Sequence, residues 1–122
     1  MNAEKLVKAL RQYAGEAAVR SVDSQLREPT GRSPHKTLVA DSKWYLALNA
    51  KDQAHVMRIA RRTMDYAIFG VLCILDGVRA IEAGPSKGEL HIVYVKGTEQ
   101  TVISDPNEVL LHELYSALYP FE

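Results

Sequence analysis

The stretch YAIFGVLCILDGVRAIE, Tyr66 to Glu82, decides the fold. Its uncharged apolar run, Ala67 to Leu75, stops at Asp76-Gly77 and admits three readings: a buried strand, a membrane segment or the middle of a helix. The run is far short of the roughly 20 residues that cross a bilayer. A strand needs Gly or Pro punctuation before Ile68, and there is none. Ala60, Met64, Ala67, Val71, Ile74, Val78 and Ile81, by contrast, recur at alternating spacings of four and three, which is a helical seam. Phe69 and Leu72 fall opposite it, so the pattern predicts a long helix, about 50–83, buried all round at its centre. Gly70 and Gly77 each cost about 1 kcal/mol in a helix. The expected compensation is close backbone contact with the first helix, or else a kink at Asp76-Gly77.

Outward from this helix, its start is marked by Asn49-Ala-Lys-Asp52, with Asn49 as cap and Asp52 in the first turn. A first helix is predicted over 3–26, where Leu10, Ala14, Ala18, Val22 and Leu26 form an i+4 row. Residues 27–37 read as a basic internal loop containing Pro, Gly and Ser. Lys36–Ala40 is expected to be extended, and Asp41 to cap a short helical piece holding Trp44. Past Gly84-Pro-Ser-Lys-Gly88 the period becomes two, which predicts a β-hairpin over about 89–104 with its turn at Lys96–Gln100. Asp105-Pro106-Asn107-Glu108 has the form of a helix start and predicts a last helix over about 106–119. The expectation is an α+β single domain spanning 1–122.

Composition narrows the function classes. Apolar content of 47% and charged content of 25% are ordinary for a globular chain of 122 residues. Cys73 is the only cysteine, so no internal disulfide forms and a reducing, cytoplasmic setting is the expectation. The N-terminal segment lacks the apolar core of a signal peptide. Net charge is zero, but residues 1–62 carry 12 Lys and Arg against 6 Asp and Glu, while residues 63–122 carry 3 against 9. Halves of +6 and −6 suit either mutual cancellation or a charged binding surface.

Motifs for chemistry are sparse. His112-Glu113 begins like a metalloprotease helix, but the second histidine would fall at position 116, which is Ser. No Cys-x-x-Cys, nucleophile elbow or phosphate-cradling glycine loop is present, and neither a metal nor a cofactor is expected. Asp76 beside Arg79 is the sharpest acid–base candidate, with His91 as a third group for a ligand pocket beside the hairpin. Its bland counterpart is a carboxylate that pairs with an arginine or caps nearby backbone. Arg58, Arg61 and Arg62 make a basic cluster, yet the neutral total and the absence of interleaved aromatics weigh against nucleic acid.

Two features point toward a protein partner. Glu108, His112, Tyr115 and Tyr119 share one side of the last helix, opposite Leu110, Leu114 and Leu118, and tyrosines are frequent interface anchors. The hairpin is apolar on both faces of Leu90–Val95 and has only one partner strand, so its edge suits strand addition or a homodimer. The leading expectation is therefore a non-enzymatic protein-binding module, in its most specific form an inhibitor or immunity-type protein occluding a basic partner. The alternatives are a ligand pocket or enzyme built on Asp76, Arg79 and His91, and a nucleic-acid-associated regulator using Arg58, Arg61 and Arg62.

Overall fold

The computed structural model describes residues 1–105 and 107–121. It is an α+β chain of helices and one antiparallel hairpin: α1 (Ala3–Leu10), a π-helical segment (Arg11–Glu16), α2 (Ala17–Arg27), α3 (Lys36–Ala47), α4 (Ala50–Leu75), β1 (Val93–Lys96), β2 (Glu99–Val102) and α5 (Leu111–Leu118). The chain divides into two compact units, one of Met1–Arg11 with Tyr66–Glu122, the other of Gln12–Asp65.

The helical span at the start is longer than a simple i+4 row accounts for. The π-helical segment holds more residues per turn than an α-helix, so it rotates the inward face of everything after it. Val7, Gly15 and Val19 are buried as a result, whereas Ala14, Ala18 and Val22 of the predicted row are exposed.

In the unit of residues 12–65, α3 occupies the segment expected to be extended. The His35 side chain accepts from Thr37 N–H and starts this helix upstream of Asp41. Ser42 and Tyr45 face inward, and the Ser42 hydroxyl donates to the Leu26 carbonyl at 2.8 Å, tying α3 to α2. Trp44 points outward. Asn49 Oδ1 accepts from Asp52 N–H at 2.8 Å, the cap read from the sequence.

The other unit has a core of Val7, Leu72, Ile103, Leu111 and Tyr115, flanked by Leu6, Leu10, Ile68, Phe69 and Ile92 among others. Here the reading of the long helix needs two corrections. The helix stops at Leu75 rather than near residue 83, because Gly77 takes φ +76 and closes a Schellman motif. Val78 N–H donates to the Cys73 carbonyl at 3.0 Å and Gly77 N–H to the Ile74 carbonyl at 3.1 Å. Burial also follows Leu72, fully enclosed, while Val71 of the predicted seam is 50% exposed. The pattern was apolar on both sides, so periodicity could not choose between them. Val78 and Ile81 lie beyond the helix in exposed chain.

The hairpin ladder is shorter than 89–104, pairing Val93 with Val102 through Lys96 with Glu99. Its turn is only Gly97-Thr98, tighter than expected. Gly97 has φ +61 and, among the described residues, no non-glycine residue is left-handed, the pattern of a type II′ turn. Beyond the ladder Ile103 N–H donates to the Ile92 carbonyl at 2.8 Å, but Ile92 N–H goes to the Ser104 hydroxyl, which ends the regular pairing. The last helix starts at Leu111, not at 106. Asp105 instead makes a local turn, its Oδ1 accepting from Asn107 N–H and its carbonyl from Glu108 N–H. Pro106, expected as the first helical residue, lies outside the described residues.

Candidate functional site

Asp76 sits where α4 ends, and α5 begins against it. An isolated helix start leaves its first N–H groups without carbonyl partners, and the residue before α5, Leu110, has no side chain to fill the role. The Asp76 carboxylate does so from 35 residues away. Its Oδ1 accepts from Leu111 N–H at 2.9 Å, and its Oδ2 accepts from His112 N–H at 2.8 Å. Oδ2 also lies 2.6 Å from His112 Nδ1. An ionised carboxylate only accepts, so Nδ1 carries the hydrogen. The Asp76 side chain is 3% exposed and that of His112 17%, with the imidazole edge-on to Phe69 at a centroid distance of 5.6 Å. Negative charge at the positive end of a helix is favourable, and three donors offset the cost of burying it.

A groove of about 580 Å³ opens beside this clasp. Asp76, Glu82, Lys87, His91 and Ser104 line it together with apolar groups such as Ile81 and Leu90. Of the predicted pocket trio, Asp76 and His91 share the groove and Arg79 does not line it. The Arg79 guanidinium lies instead over the backbone of Gly70, where an added Cβ would come within 2.7 Å of its Nη1. That is the close approach Gly70 permits; the expected backbone contact is replaced by a side-chain one. His91 Nε2 lies 3.1 Å from Glu89 Oε2 in an exposed pair. Both Asp76 oxygens are engaged by the first turn of α5, which makes the carboxylate a structural acceptor there.

The residues predicted on the outer side of α5 are distributed differently. Tyr115 is buried in the core, Tyr119 packs against it, and His112 is held by Asp76. Glu108 is exposed and precedes the helix. The outward positions are Glu113, Ser116 and Ala117. Arg11, which the sequence did not single out, explains the inward turn of the tyrosines. Its Nη1 donates to the Tyr115 hydroxyl at 2.9 Å, and its guanidinium lies 4.1 Å from the Tyr119 ring centroid. The two rings sit 5.1 Å apart. A cation over an aromatic face and a satisfied phenol make these tyrosines stable inside. No local signal marks Arg11 as a partner of these tyrosines, because Tyr115 lies 104 residues along the chain and Tyr119 one turn beyond it.

In the unit of residues 12–65, Arg58, Arg61 and Arg62 are all exposed, with Arg58 Nη2 2.6 Å from His55 Nδ1. Arg61 lines a cleft of about 490 Å³ together with Arg20, Asp23 and Arg27. Arg27 is paired with Asp23 at 3.1 Å. Among the described residues, no three His, Cys, Asp or Glu side chains converge as a metal site requires, and no helix is long and apolar enough to cross a membrane. Comparison with protein-family models, with curated proteins and with solved structures gives no match.

What the hairpin-bearing unit does expose is apolar side chain. All eight ladder residues are exposed, with Val93 at 43%, Val95 at 59% and Val102 at 57%. The register sets these three on one face with Gln100, and Tyr94, Lys96, Glu99 and Thr101 on the other. Val78, Ile81 and Leu90 of the same unit are exposed as well.

Proposed function

We propose that this chain is a non-enzymatic protein-binding module whose recognition surface is the hairpin. The observation that carries this reading is the apolar face of Val93, Val95 and Val102, open to solvent on a ribbon of only two strands. A two-stranded ribbon is marginal in water unless something covers it, and exposed apolar patches of this kind mark interaction sites. The engagement of Asp76 by α5 supports a binding role over acid–base chemistry. An inhibitor or immunity-type protein is one form of the reading. The unit that bears the hairpin holds 6 Lys and Arg against 9 Asp and Glu, a balance that suits a basic target.

The test is affinity capture from native cells with the wild-type chain and with Val93→Thr/Val95→Thr/Val102→Thr, which keeps β-propensity and removes apolar surface. A protein that the wild type retains, and that binds the purified variant about tenfold more weakly or worse, supports the module. Equal retention by both chains, or retention of nucleic acid that depends on Arg58, Arg61 and Arg62, would overturn it.

A further inference from the structure

The geometry points to one occupant for the open edge of β1: the same strand of a second copy, paired antiparallel in a four-stranded sheet of order β2, β1, β1, β2. This rests on the binding-module reading and names its partner.

The hydrogen bond from Ile103 N–H to the Ile92 carbonyl sets the phase of the ladder. Bonded positions alternate along an antiparallel strand, so residues 92, 94 and 96 turn their backbone groups toward β2, and Val93 and Val95 turn theirs outward. A two-fold axis at Tyr94 matches these outward groups to one another. Val93 of each copy then exchanges hydrogen bonds with Val95 of the other, and the two Tyr94 side chains meet at the axis as a close non-bonded pair. Lys96 falls opposite Ile92 of the second copy, with no like charges face to face, whereas parallel in-register pairing sets Lys96 against Lys96.

The two edges of the hairpin are unequal. β2 reads Glu-Gln-Thr-Val and carries the charge and polarity that natural edges use against pairing. β1 reads Val-Tyr-Val-Lys, three strong strand formers with a single charge at the turn end. Pairing through β1 joins the valine faces of both copies into one continuous apolar surface.

The test is sedimentation equilibrium on the full chain up to roughly 100 µM, a range that captures weak dimers as well as tight ones. Two proline variants probe the edges, since residues 95 and 100 both point their N–H away from the ladder and lose no internal bond. The wild type should dimerise, Val95→Pro should weaken the dimer by about tenfold or more, and Gln100→Pro on the β2 edge should leave it within about twofold. Amide exchange at Val93 should slow with concentration in the wild type only. If Val95→Pro loses the hairpin cross-peaks by NMR, Val93→Lys is read in its place. A wild type that stays monomeric, or a dimer indifferent to both β1 variants, overturns self-pairing. In that event a foreign protein captured by the wild type and lost with Val95→Pro leaves the module standing, and the absence of one removes both readings.

Discussion

Replacing Asp76 with alanine removes three hydrogen bonds and the side-chain cap that α5 lacks at Leu110. A helix cap alone is worth about 1 kcal/mol, within a range of about 0.5–2. The N–H groups of Leu111 and His112 are part-buried, and leaving such donors without partners costs about 1–3 kcal/mol each in the limit of full burial. Water reaching the exposed side of His112 recovers some of this, so the expected loss is about 3 kcal/mol. For a chain of this size that is roughly 12 °C in Tm. His112→Gln breaks only the side-chain bond and leaves the cap, so about 1 kcal/mol is expected. The double variant should cost little more than Asp76→Ala alone, because both remove the same contact. Urea unfolding followed by far-UV circular dichroism gives the totals, and amide exchange at Leu111–Leu118 localises them. An Asp76→Ala chain within about 0.5 kcal/mol of the wild type, with α5 amides still protected, would refute the capping argument.

Leu72→Ala should cost about 2–5 kcal/mol in thermal or urea unfolding, since the side chain is fully enclosed, while Val71→Ala should stay within about 1 kcal/mol; the opposite order would restore the seam predicted from periodicity. The two glycines of α4 and its cap should respond with opposite sign. Gly77→Ala forces a side chain into a left-handed conformation and should destabilise by about 1–2 kcal/mol. Gly70→Ala meets only the movable end of Arg79, and the gain in helix propensity should leave it neutral or up to about 1 kcal/mol more stable. Matching losses in the two variants would contradict this account of Gly70.

How far the sequence could be read depends on whether a signal is local. The Asn49 cap, the change of period after Gly88 and the α+β class all depend on neighbours in the chain, and all appear in the structure. At Asp76-Gly77 the sequence suggested at most a kink in a helix continuing to about residue 83; the stop comes from the left-handed φ of Gly77, which the apolar pattern does not mark. The buried side of the first helical span was not legible, because a π-helical segment shifts the phase without a compositional mark. The candidate site was harder still. Asp76 was visible as an isolated carboxylate, but its three donors come from residues 111 and 112. The tyrosines of α5 lay on the predicted side of their helix, yet that side proved to be the inner one because of Arg11, a partner no spacing rule can reach.

The clasp at Asp76 also sets the order in which this unit can assemble. Its two ends lie 35 residues apart in sequence, so closing it confines the intervening chain, hairpin included, in a loop. The entropic cost of such closure is about 3 kcal/mol. An eight-residue helix is too short to persist in water unaided. We therefore expect α5 to form only after the end of α4 exists and the loop has closed on it, and pulse-labelled exchange that found α5 protected before α4 would contradict that sequence of events. Opening takes the reverse order: losing the carboxylate releases the start of α5 first, while Ile103, Leu111 and Tyr115 are still held by packing with Val7 and Leu72.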